Sequence, residues 1–225
     1  MRNGNALSKV RVIAIGGQRG TGRKKFLTEF QQCLACEFTG LRILYLGSPF
    51  KRLPHPLLRS AKEKRRPPTS RLLGLWSELD EFCLLKLLPA IKSGDYDLIV
   101  IDEFGLSASL QSTALSSDRK RNAMARGMHH DLVRSRLKRE GVSPPEYIII
   151  RSSPSIVDRS ALQRVPRLAK ISRKKRLAFI RYEDREIDRY FRGTGQKRLI
   201  TLCASMSHHE KCRLTAEALR KNLHR

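Results

Sequence analysis

A chain of 225 residues with 40% hydrophobic content is long enough for one domain with a substantial core. Forty-six Lys and Arg against 21 Asp and Glu leave a formal charge of +25, which points to a polyanionic partner, nucleic acid first; the competing explanations are a saline habitat or an arginine-rich lineage. No apolar run approaches the roughly 18 residues of a membrane helix, so a membrane-spanning role is excluded.

MRNGNALSK at the start has no apolar secretion signal. Val10, Val12, Ile13, Ala14 and Ile15 read as a buried strand, followed by Gly16, Gly17, Gly20 and Gly22. Phe26, Leu27, Phe30, Cys33 and Leu34 then stand at helical spacing. Strand, glycine turn and helix build a phosphate-binding loop, because glycines let N–H groups curl inward and the helix start carries partial positive charge. The usual pattern is G-x-x-x-x-G-K-S/T. Here Gly17-Gln18-Arg19-Gly20-Thr21-Gly22-Arg23-Lys24 keeps the glycine spacing and changes the chemistry. Arg23 stands where the lysine belongs and can still pair with phosphate in two-pronged fashion. Lys24 stands where a hydroxyl would ligate Mg²⁺, and no lysine can do that. Thr21 and Thr28 are nearby hydroxyls out of register.

Leu41–Leu46 reads as a second strand, closed by Gly47-Ser48-Pro49. Residues 51–71 hold eight basic residues, one acid and four prolines, an exposed segment bent by proline. A long helix is expected from Leu72 to Ile91, with Leu72, Leu75, Leu79, Phe82, Leu85 and Leu88 as its core stripe. Pro89 should disturb its last turn, and Ser93-Gly94-Asp95 should end it. Residues 97–102, DLIVID, have the continuous apolar character of a central parallel strand ending in an acid. Ser107 is expected to cap a helical region running toward Glu140, ended by Gly141 and Pro144-Pro145. Tyr147–Ile150 is a fourth strand and Pro154–Gln163 a short helix. Residues 164–176 carry seven basic residues and no acid. Leu177–Phe191 returns to helix, Leu199–Cys203 is a fifth strand, and His208–Leu223 is the last helix. The pattern is α/β: a three-layer, P-loop NTPase-like single domain with a five-stranded parallel sheet and flanking helices. The strands starting near 10 and 97 should be neighbours at its centre.

Asp102 and Glu103 end the third strand, where an acid in such sheets serves the metal-phosphate complex. An ATPase would divide the work between them, Asp102 holding Mg²⁺ and Glu103 polarising water; two solvated acids at a strand end are the plain alternative. The five cysteines (33, 36, 83, 203, 212) form no metal set. They read as reduced, mostly buried thiols in a cytoplasmic or other reducing compartment. His129-His130 and His208-His209 point apart on their helices and read as surface residues. Basic clusters at 62–66, 119–121, 134–139 and 173–176 exceed what one nucleotide needs and suit a nucleic-acid backbone.

The order of these motifs resembles the thymidylate kinase family. The residues that carry the likeness are the glycine loop, YLGSPF at 45–50, and Asp102-Glu103-Phe104 followed by Ser107, Ser109 and Gln111. Further on come Pro145–Ile150, Pro154, Arg159, the basic run 164–176 and RYEDREIDRYF at 181–191. The resemblance spans about residues 10–223 and implies transfer of phosphoryl from Mg-ATP to deoxythymidine monophosphate, in a homodimer. By that likeness residues 17–24 cradle ATP and Asp102 orients metal or acceptor. Phe104, Ser107 and Gln111 lie on the acceptor side, and Arg173, Lys174, Lys175 and Arg176 belong to a lid. Four departures strike the chemistry: Arg23, Lys24, Glu103 in place of the acceptor-binding arginine, and Gly47-Ser48-Pro49 where the family carries Arg-Glu-Pro. Three functions follow as expectations. One is a weak or inactive kinase-like protein that binds nucleic acid or a ribonucleoprotein. The others are an active, diverged nucleoside monophosphate kinase and an ATPase-like module using Asp102 and Glu103.

Overall fold

Apolar strands of four to seven residues alternate with helices, and parallel pairing follows because every crossover carries a helix or a long connection. The computed structural model describes residues 10–50, 56–58, 68–113 and 135–223. In chain order these hold β1 (Arg11–Gly17), α1 (Arg23–Glu37), β2 (Ile43–Leu46), α2 (Pro68–Phe82), α3 (Leu88–Ser93), β3 (Leu98–Asp102) and α4 (Gly105–Thr113). There follow β4 (Glu146–Arg151), α5 (Pro154–Arg164), α6 (Arg173–Thr194), β5 (Arg198–Cys203) and α7 (His208–Leu223). The sheet is all parallel with strand order β2-β3-β1-β4-β5, so β1 and β3 are central neighbours as expected. Ile15 lies beside Asp102, and this register brings the glycine loop and the acid to the same edge.

Two cores flank the sheet, as alternate residues of each strand require. Val12, Ala14, Ile99, Ile101, Tyr147 and Ile149 face Leu79, Leu87, Leu106 and Ile187 on one side. Ile13, Ile15, Val100, Ile148 and Ile150 face Phe26, Phe30, Leu34 and Leu219 on the other. Tyr147 and Tyr190 are both buried, their hydroxyls 3.1 Å apart, and burial raises the Tyr190 phenol well above its ordinary range.

The helix expected at 72–91 differs in a way that moves side chains. A π-helical turn, Cys83–Leu87, separates α2 from α3. Pro89 has no N–H to donate one turn back, and the wider turn accommodates it. The added residue shifts the helical register, so Leu85 is 67% exposed while Cys83, Leu87 and Ile91 take the buried positions. Ser107 lies inside α4 and does not cap it. The basic run 173–176 is the first turn of α6, so the lid-like segment ends at Ser172. Cys83 and Cys212 are buried; Cys33 and Cys203 are half-buried, Cys36 is exposed, and all five are free. Most of the 51–71 segment, the clusters 62–66 and 119–121, Arg134 and His129-His130 lie outside the described residues. No helix among the described residues is long and apolar enough to cross a membrane.

Candidate functional site at the glycine loop

Glycine is required where β1 leaves the sheet. A Cβ on Gly17 would stand 2.2 Å from the Ile150 carbonyl oxygen, with φ at +148°. Gln18 then folds beneath the loop, 1% exposed. Its N–H donates to the Ile150 carbonyl at 3.3 Å, and its side-chain oxygen accepts from the Ser152 N–H at 3.0 Å. Thr21 donates its hydroxyl to the Gln18 carbonyl at 2.9 Å. Gly20 (φ +94°) passes against Val157 of α5, and Gly22 (φ +77°) forms the left-handed entry to α1. Arg164 donates to the Gly20 carbonyl at 2.8 Å. Among the described residues, no acceptor is bonded to the backbone N–H groups of Gly20 through Lys24. Those donors, the start of α1 and the exposed Lys24 make a cradle suited to an anion.

The acids at the end of β3 meet this loop through Arg23. Its Nε lies 3.2 Å from Asp102 Oδ1, and its terminal nitrogen donates to Glu103 Oε1. Glu103 has a left-handed backbone (φ +72°), and its N–H donates to the Ile15 carbonyl at 3.2 Å. Its second oxygen accepts from the Ser48 hydroxyl at 2.6 Å. A strained conformation is thus held by the strand neighbour, the arginine and the serine together. Burial raises the Asp102 carboxyl above its ordinary value, and Arg23 only partly offsets this.

A second ion pair fixes the outer side of the loop. Arg19 Nε stands 2.9 Å from Glu183 Oε1 of α6. Glu183 is 2% exposed, and burial raises its pKa against the pull of Arg19. Neither Glu183 nor Ser48 was singled out in the sequence. Glu183 had a legible signal: it shares the inward face of α6 with Ile180, Ile187 and Tyr190. Ser48 had none.

Gly17 to Lys24, Asp102 and Glu103 therefore converge, while other candidates take different places. Phe104 is 2% exposed, its ring 6.4 Å from that of Phe82, and belongs to the core rather than to a ligand surface. Ser107 is also buried. Gln111 sits on α4, its side chain outside the described atoms. Arg173, Lys174 and Lys175 are exposed on the first turn of α6. Arg176 is not a surface lid residue. Its guanidinium grips Asp158 at 2.6 and 3.1 Å and donates to the Leu168 and Ile171 carbonyls, tying α5 to α6.

Mg²⁺ does not fit this donor set. Both carboxylates are engaged by one guanidinium, the hydroxyl position is Lys24, and the Thr21 hydroxyl is turned onto its own loop. Among the described residues no group of three or more His, Cys, Asp or Glu could hold a metal. A phosphate does suit the backbone cradle. The fold and site define an α/β protein with an all-parallel sheet and a glycine loop at the carboxyl end of its central strand. No protein-family model matches the chain, and no curated protein matches it.

Proposed function

We propose that this is a thymidylate kinase-like protein whose phosphoryl transfer is very slow or lost, and whose main role is to bind nucleic acid or a ribonucleoprotein. The observation that supports the first half is Arg23 bridging Asp102 and Glu103. A fixed cation occupies both acids that a working site would offer to metal and acceptor, and with one positive charge against two it leaves the pair net negative. Glu103 also sets a negative charge where an acceptor dianion would have to lie, and in a partly dry site that repulsion is costly. The second half rests on the charge of +25.

A coupled assay with ATP, Mg²⁺ and thymidine monophosphate tests the first half. Turnover far below the ordinary kinase range of roughly 1–100 s⁻¹ is expected, and turnover within it overturns the reading. The double variant Arg23→Lys, Lys24→Ser stays inactive while Glu103 remains. One observation favours the second reading, an active diverged kinase: among the described residues no acceptor is bonded to the N–H groups of residues 20–24, an arrangement that suits a phosphate. Activity toward another nucleoside monophosphate at ordinary turnover would establish it.

A further inference from the structure

The cations of this chain are unequally partnered. Away from α5 and α6 many of them meet acids: Arg42–Asp97 at 3.0 Å, Arg136–Asp80 at 2.8 Å, Lys92–Glu140 at 2.6 Å and Arg213–Glu217 at 2.6 Å. The corner from α5 into α6 is different. Arg159, Arg164, Arg167, Lys170, Arg173, Lys174 and Lys175 are all exposed. The nearest acid in that stretch, Asp158, is buried and held by Arg176.

The same excess continues along α6. Lys174, Arg181, Arg185 and Arg192 are exposed and separated by seven, four and seven residues. At 100° per residue those steps keep all four within a narrow strip of one face, about 27 Å long at 1.5 Å per residue. The acids of α6 do not answer them. Glu183 and Glu186 are buried, Asp184 lies against Arg151, and Asp188 is shared by Arg151 and Arg198. Tyr190 and Phe191 are buried, and Phe179 and Tyr182 are half-buried, so this face offers no platform for stacking bases. A straight row of cations with no acid partner among the described residues, and without stacking rings, complements a regular phosphate backbone.

We propose that the α6 strip and the adjoining α5–α6 corner form the docking face for double-stranded nucleic acid, touching phosphates without reading sequence. This rests on the nucleic-acid reading above and names the surface and the form of the partner. Duplex charge recurs about every 1.7 Å of axis, so a 27 Å face meets enough phosphates to engage all four cations.

The test measures binding of the full chain to a mixed-sequence 20-base-pair DNA duplex, its single strand and a poly-glutamate chain, across a salt series. Two variants carry the same charge change. One is Lys174→Gln, Arg181→Gln, Arg185→Gln, Arg192→Gln. The other is Lys86→Gln, Lys92→Gln, Arg213→Gln, Lys221→Gln, all exposed and outside the basic clusters. The α6 variant is expected to lower the slope of log affinity against log salt by up to about 3.6, or about 0.9 for each phosphate no longer neutralised. The control should change it by less than about 1. Equal reductions in the two variants overturn the face and leave nucleic-acid binding standing. Preference for the single strand or for poly-glutamate overturns the duplex. No binding to any nucleic acid by the unmodified chain at low salt overturns the underlying function. If the α6 variant fails to fold, Lys174→Gln with Arg181→Gln, and separately Arg185→Gln with Arg192→Gln, should each lower the slope by about 1.8. No change in either pair overturns the face equally well.

Discussion

Arg23 and Asp102 stand 79 residues apart in the chain and meet at 3.2 Å, Nε to Oδ1, with Glu103 on the same guanidinium. All three side chains are less than one-fifth exposed. This contact joins the start of α1 to the end of β3 and sets one positive charge between two adjacent acids.

Removing the cation should therefore cost more than an ordinary surface pair. Arg23→Met is expected to lose about 2–4 kcal/mol at pH 7, because two carboxylates are left together in a half-dry site. Adding Asp102→Asn should recover part of it. The raised Asp102 pKa sets the pH sign. Such a group favours folding below its unfolded value of 3.8, and that contribution is lost as pH rises through the folded value. Denaturant titrations of Arg23→Met should thus show a smaller deficit near pH 4 than at pH 7; equal deficits would contradict the pairing.

Two glycines of the loop should respond differently to alanine. At Gly17 the new methyl would press on the Ile150 carbonyl, so Gly17→Ala should lose more than about 2 kcal/mol or fail to fold. At Gly22 nothing lies within 4 Å and only the left-handed backbone resists, so Gly22→Ala should lose about 1–2 kcal/mol. Thermal melts of the two variants side by side check the order.

Arg176 is expected to behave as a structural residue. Both members of its pair with Asp158 are at most 10% exposed, so Arg176→Ala should destabilise by about 3–5 kcal/mol. The Arg176→Ala, Asp158→Ala double variant should be less impaired than the sum. Where the single variant still folds, its salt slope on duplex DNA should match the parent's, unlike the α6 strip variant.

Glu146 should dominate part of the acid response. Burial acts to raise its pKa, but hydrogen bonds from Lys197 and Arg11 outweigh it, and the folded value lies below 4.5. A lowered carboxyl pKa contributes stability that is present above the unfolded value of 4.5 and lost as pH falls through the folded one. Glu146→Gln should lose about 1–2 kcal/mol at pH 7 and show a flatter stability profile below pH 4.5. An unchanged acid slope would remove Glu146 from the account.

The α/β alternation and the glycine loop were legible in the chain because they rest on local signals, and the central pairing of β1 with β3 followed from requiring the loop and Asp102 to converge. Continuous apolar runs such as LIVID mark buried parallel strands, and the glycine spacing marks a turn that only glycine allows. What the charged residues do was settled by packing between distant elements. Arg23 and Arg176 are chemically alike and both lie near helix starts, yet one bridges acids at the loop and the other is sealed inside against Asp158. Leu85 left the core because one π-helical turn changed the register, and Phe104 entered it because α4 folds onto the sheet. A guanidinium or a ring takes whichever partner the packed sheet and helices bring within reach, and no local pattern records that partner.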